Sequence, residues 1–225
     1  SQTYNILVGE PELLFFDDAE SGMGNWDTDT WGLSQNEFAG NYSFSDSPQG
    51  EYVDDWGISE MTLNNPLDFS EVADGYLQIT SKWAIEEGWD WAEVLGSTDG
   101  QNLVSLEGGY MSGGGGQGIQ SSGEFGYDGE SDWVTDNISL SQFSESDQVY
   151  LQFKLSSDGF VTDDGIYIDD ISVFVYNTTN ILLGDVNQDG MINVVDIVNV
   201  VNIILGGNVT NVDLLVADLN GDGDI

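Results

Sequence analysis

The segment VYLQFKL (149–155) alternates Val149, Leu151, Phe153 and Leu155 with Tyr150, Gln152 and Lys154. Side chains along a strand point to opposite faces with a period of two, so this pattern predicts a strand with one face in a core. YLQITSKWAI (76–85) repeats it, with Leu77, Ile79, Trp83 and Ile85 on the inward side. Turn-forming runs such as DSPQG, STDGQN, YDGES and SSDG punctuate residues 10–176. Many such strands, with no helical period between them, predict an antiparallel β-sandwich of jelly-roll type over residues 12–176. The glycine-rich GGYMSGGGGQG (108–118) reads as a flexible loop. It lacks the Lys-Ser/Thr ending of a phosphate-binding loop.

Charge limits the chemistry. Forty-one acidic side chains face two lysines, Lys82 and Lys154, giving a net charge of −39. Such a chain cannot displace counterions from nucleic acid, and it is repelled by anionic lipid. Its carboxylates must be relieved by solvent, salt or a hard cation, calcium first. Without Cys or His there are no disulfides, thiol nucleophiles, histidine triads or histidine-held zinc. Carboxylate pairs drawn from Glu93, Asp99 and Asp128 could be written as acid and base, but no spacing selects any two of them. The chain is expected not to be an enzyme. No apolar run is long enough for membrane insertion. The start at Ser1 reads as a piece of a longer, processed protein.

After YNTTN (176–180) the pattern changes, and residues 177–183 read as a linker. In DVNQDGMINVVD, Asp185, Asn187, Asp189, Met191, Asn193 and Asp196 occupy positions 1, 3, 5, 7, 9 and 12 of a twelve-residue loop, with Gly190 at position 6. Calcium takes six to eight oxygens, and a tight turn supplies them from alternate residues when a glycine permits the bend. Ile192 is expected to point into the core. Residues 194–205 then read as a helix apolar enough to be buried on more than one side, interrupted by Asp196, Asn199 and Asn202. The loop begins again at Asp218, Asn220, Asp222 and Asp224, and the sequence stops before positions 9 and 12.

A calcium loop without a preceding helix, followed by a helix and then repeated, resembles a dockerin, the tandem calcium-loop-and-helix module of secreted bacterial complexes. The resemblance covers residues 184–225, with the second repeat truncated. It implies a cohesin-like partner, selected in part at loop positions 10 and 11, here Val194 and Val195. Farther along the helix, where dockerins often carry basic residues, stand Val201 and Asn202. Recognition through apolar packing is implied.

IYIDDISVFVY (166–176) poses a separate problem. Unbroken alternation would put Asp169 on the face of Ile171, Val173 and Val175, and Asp170 on that of Ile168 and Phe174. At least one carboxylate then lies near a core that has almost no cations to offer, and metal is the economical partner. The early strand LLFFDDAESG (13–22) brings Asp17, Asp18 and Glu20. FFDDAESGMGNW (15–26), YSFSDSPQGEY (42–52), WAIEEGWDWAEVLGSTDG (83–100) and DDGIYIDDISV (163–173) resemble MAM-like and immune-inhibitor-A-like jelly rolls. That resemblance implies a calcium held by Asp18, Glu20 and Asp169, with Asp17 and Asp170 nearby.

The fold class expected is therefore mostly β, a jelly-roll sandwich followed by a small helical calcium-loop module. The function expected is a non-catalytic, calcium-stabilised extracellular module, secreted or attached to a cell surface, that mediates assembly or attachment. Three calcium sites are anticipated: the intact loop, the truncated loop and the sandwich. Two alternatives accompany this reading. Residues 1–11, with TYNILV (3–8) as a free strand, would let copies of the chain build a fibre by adding to a neighbour's sheet edge. Otherwise the chain is the accessory region of a secreted peptidase or other hydrolase, with Trp89, Trp91 and Glu93 forming a glycan-binding strand face.

Overall fold

The two alternating segments become long strands in opposite sheets. The computed structural model describes residues 11–53, 56–115, 117–177, 184–187, 191–205 and 217. Among them, β1 (Glu12–Asp17), β2 (Trp26–Thr28), β3 (Gly32–Ser34), β4 (Ser43–Ser45), β5 (Ile58–Leu63) and β6 (Val72–Ile85) come first. Then follow β7 (Trp91–Ser97), β8 (Val104–Ser105), β9 (Ser112–Gly113), β10 (Phe125–Gly126), β11 (Gly129–Ser139), β12 (Tyr150–Ser156) and β13 (Gly165–Asn177). One sheet runs β11-β6-β13-β4-β3, with β1 also paired to β13; the other runs β2-β5-β12-β7-β8, and β9 pairs with β10. The strand pairs are antiparallel. Residues 11–177 thus form an antiparallel jelly-roll-like sandwich, and the C-terminal unit carries a helix, α1 (Val194–Ile204).

Leu77, Ile79, Trp83 and Ile85 of β6 enter one core cluster with Leu151, Phe153 and Leu155 of β12, as the alternation requires. Trp26 anchors it, with ring centroids 6.0 Å from Phe15, 5.8 Å from Phe44 and 5.6 Å from Phe153. Such tilted and edge-on contacts add roughly 0.5–1.5 kcal/mol per pair beyond the area buried. β1 and β13, first and last in the sandwich, lie side by side with Phe16 opposite Ser172 and Asp17 opposite Ile171.

The unbroken alternation expected through Asp169 and Asp170 does not hold. Thr80 faces Asp169 and Gln78 faces Ser172, so β13 carries one extra residue, a bulge with Asp170 at φ 49°. Ile166 and Ile168 point inward before it; Ile171, Val173 and Val175 point inward after it. The bulge shifts the inward set by one residue, so the core takes both groups of isoleucines and valines while Asp169 stays off their face.

The glycine-rich segment also departs from expectation, being packed rather than loose at Gly108, Gly114 and Gly118, though open at Gly113 and Gly115. A Cβ on Gly114 would lie 1.9 Å from the Ser121 carbonyl oxygen and 2.9 Å from the Trp91 ring; on Gly126 it would lie 2.9 Å from that ring. A Cβ on Gly118, at φ +53°, would lie 2.5 Å from the Trp89 carbonyl oxygen. Glycine is needed here because backbone lies directly on backbone and indole.

Asp46, just after β4, is 3% exposed. Its Oδ1 accepts the Ile166 N–H at 2.7 Å and its Oδ2 has no hydrogen-bond partner. Burial pushes this carboxyl up to about 7. In the unfolded chain it ionises near pH 4, so between those values the folded state holds the extra proton. Stability therefore falls as pH rises through this window, by up to about 1.4 kcal/mol per pH unit from this group. Asp46→Asn should flatten the decline in melting temperature between pH 4 and pH 7; an equally steep decline in the variant would assign it to other carboxylates.

Candidate metal centre

The loop at 185–196 is built around Asp196. Asn193, in extended backbone geometry, caps α1 by accepting the Val195 N–H at 2.8 Å. Asp196 answers from the third helical position: its Oδ2 accepts the Asn193 N–H at 2.7 Å, completing a reciprocal capping box. Its Oδ1 accepts the Asn187 N–H at 3.1 Å. The carboxylate at position 12 thus ties down positions 3 and 9. The Asn193 bond, ahead of that from Asn187, holds it below the usual carboxylate range. Asp185 and Asp196 are both buried, and Met191 is exposed. Asp189, Asp218, Asn220, Asp222 and Asp224 lie outside the described residues, as do residues 3–8.

The helix turns Asp196 inward and leaves Asn202 exposed. Asp196 is the buried residue of α1, and Val200 and Ile203 pack against Val186 and Ala217. Val194 is 69% exposed, Ile197 64% and Ile204 62%; Val195, Val198 and Val201 are also exposed. These side chains recur at the three- and four-residue steps that define one side of a helix. Burial on more than one side is therefore not what the structure gives, and Ile192 too is exposed rather than in the core. The loop draws the acidic side of the helix towards itself, which leaves the aliphatic side outward.

In the sandwich, Asp18, Glu20 and Asp169 do not gather as a metal-sized group of oxygens. Asp169, fully buried, accepts the N–H groups of Phe38, Ala39 and Asp170 at 3.0, 3.0 and 2.8 Å. Glu20 accepts the N–H groups of Asn41 and Tyr42 and the Asn41 amide. The two carboxylates brace opposite ends of the 38–42 loop. Burial raises Asp169, whereas the Asn41 amide lowers Glu20. Asp18 accepts the Glu20 N–H, and its charge, after burial, raises Asp170. Asp17 accepts the Trp26 indole N–H at 3.0 Å and the Asn25 amide at 2.9 Å. Among the described residues, the carboxylates that do converge belong to Glu86, Asp90 and Asp158. No local spacing marks them, because Asp158 comes from a distant strand end.

The proposed glycan face is closed. Trp91 is 1% exposed beneath the glycine-rich segment, and Glu93 is buried with Lys154 Nζ 2.7 Å from its Oε2. Trp89 is half-exposed in the turn before β7. The carboxylates considered for acid-base work serve separate structural bonds. Asp99 accepts from the Asn102 and Gln101 backbone, which holds it far below its ordinary value. Asp128 accepts from Gly88, Ser112 and Gln120.

Residues 183–225 match the family model described as the dockerin type I domain. No curated protein matches the chain. Solved structures with a similar sandwich include the CBM22-1 xylan-binding domain of Paenibacillus barcinonensis Xyn10C, at 8% identity and TM-score 0.44, covering 76% of this chain and 99% of that one. The K3 cleaved adhesin domain of Lys-gingipain from Porphyromonas gingivalis has 15% identity and TM-score 0.41, covering 72% and 99%. Caldicellulosiruptor saccharolyticus CBM27-1, solved with mannohexaose, has 11% identity and TM-score 0.45, covering 76% and 99%. A likeness at this level does not extend to ligand or partner.

Removing the cap tests the loop-to-helix linkage. Asn193→Ala should destabilise α1 by about 1 kcal/mol. Amide exchange in α1 should then quicken roughly fivefold, with exchange in β6 and β12 unchanged. Equal protection of α1 in both proteins would show that Asn193 does not set the helix start.

Proposed function

We propose that the chain is a non-catalytic, calcium-stabilised extracellular module that docks to a cohesin-like partner through the outward side of α1. The observation that carries this reading is the stripe of exposed Val194, Ile197, Val201 and Ile204 within the segment matched by the dockerin model. Dockerin type I domains bind calcium, and dockerins bind cohesins. An exposed aliphatic stripe in water is costly to leave bare and marks an interaction surface. Val194 and Val195, at loop positions 10 and 11, stand at its start.

The donor set suits calcium. Asp185, Asn187, Asp189, Asn193 and Asp196 offer side-chain oxygens and Met191 a carbonyl, with no nitrogen or sulfur ligand required. Calcium would neutralise the clustered carboxylates that the lysines do not reach. The protein's own part is already visible, since Asp196 closes the loop and Asn193 starts the helix, fixing where the stripe is presented. In the second copy, Asp218, Asn220, Asp222 and Asp224 would contribute the corresponding early ligands. Among the described residues no helix is long and apolar enough to cross a membrane.

Calorimetric titration of the full chain against a panel of type I cohesins, with calcium and after chelation, tests the reading. Binding should require calcium, and Val194→Asp or Val201→Asp should each weaken it about 30-fold or more, as loss of a central apolar contact does. Absence of binding across the panel, or binding indifferent to both substitutions and to chelator, would overturn it. Self-association that disappears in Val201→Asp would make the partner a second copy of the chain.

A further inference from the structure

The connection from β6 to β7 crosses from the six-stranded to the five-stranded sheet and carries Glu86 and Asp90. Asp158 arrives from the far end of β12. One oxygen from each of the three lies within 4.8 Å of the others. Asp90 is fully buried, Asp158 is 7% exposed, and Glu86 is partly buried. Three like charges this close repel strongly unless something positive lies among them. Among the described residues the one ion pair is Lys154 with Glu93, so neither lysine serves this group.

A second observation points the same way. Asp158 Oδ1 is buried and accepts no hydrogen bond. A buried carboxylate oxygen without a partner is strongly unfavourable. Asp90, in contrast, is firmly placed: its Oδ1 accepts the Asp158 N–H at 2.6 Å and its Oδ2 the Tyr52 hydroxyl at 2.9 Å. The same hydroxyl oxygen accepts the Glu86 N–H at 3.2 Å. Tyr52 thereby sets the position of both ends of the turn, and Asp158 brings to them a carboxylate with one buried, unsatisfied oxygen.

We propose that Glu86, Asp90 and Asp158 form a calcium site at the end of the sandwich, separate from the C-terminal loops and from Asp18, Glu20 and Asp169. An all-carboxylate set drawn from two loops suits calcium, which accepts irregular oxygen shells completed by water, better than magnesium, which demands a regular octahedron. Softer metals prefer imidazole and thiolate, and the chain has neither. The cation ties the sheet-crossing turn to the exit of β12, so calcium stabilises the sandwich itself as well as the C-terminal unit.

The test is equilibrium dialysis of the full chain with metal analysis, and thermal melts in calcium and in EGTA, for wild type, Glu86→Gln and Asp158→Asn. Each variant should bind one calcium fewer per chain and keep wild-type affinity for any cohesin the chain binds. In EGTA, Asp158→Asn should melt at or above wild type, because a buried unpaired charge is gone; in calcium it should melt below. Cooperative melting in EGTA shows that each variant folds, and the partly exposed Glu86→Gln guards against a packing defect at Asp158. Unchanged stoichiometry in both variants, or Asp158→Asn melting above wild type in calcium as well as in EGTA, would overturn the proposal.

Discussion

A carboxylate buried in a chain with two lysines must find its hydrogen bonds among neutral donors, backbone N–H groups prominent among them, and this constraint organises the loops of the protein. Asp169 accepts from Phe38 and Ala39, Asp136 from Gly109 and Tyr110, Asp128 from Gly88, and Asp46 from Ile166. In the first three a carboxylate on or beside a strand fastens a distant connection, and Asp46 ties the end of β4 to the start of β13. Hydrogen bonds to a charged acceptor are among the stronger ones, roughly 1.5–3 kcal/mol each. The loops of this sandwich are thus held by acidic side chains, the residues that composition alone would assign to a solvated surface.

The same rule explains which surfaces are open. Asp136 of β11 and Asp128 just before it hold Gly109, Tyr110 and Ser112, and Gly114 and Gly126 let backbone touch Trp91. An aromatic strand face that could have stacked on a sugar becomes an interior layer. In the C-terminal unit the effect is reversed. Asp196 is drawn towards the loop backbone at Asn187 and Asn193, and α1 leaves Val194, Ile197, Val201 and Ile204 outward. Acidic residues decide both what is covered and what is presented.

Metal is the partner proposed for two groups of carboxylates. They are the loop at 185–196 and the group at Glu86, Asp90 and Asp158. They differ in origin. The loop encodes its ligands within twelve consecutive residues, whereas the sandwich group exists only when the β6–β7 turn and the end of β12 meet.

Several features were legible in the sequence because they follow from local backbone geometry. The period of two at 76–85 and 149–155 fixes which side chains enter the core, since a strand offers only two faces. The Asn193–Asp196 spacing fixes the start of α1, since an N-cap and its third helical neighbour are always within reach. Long-range register decided the rest. The bulge at Asp170, which spares Asp169 from the core, follows from pairing with Thr80 and Gln78. The close approach of Gly114 to Trp91, the outward turn of α1 and the meeting of Asp158 with Glu86 and Asp90 depend on how separate segments pack. Composition supplied the shortage of cations, and the tertiary structure decided which carboxylates were left to answer it.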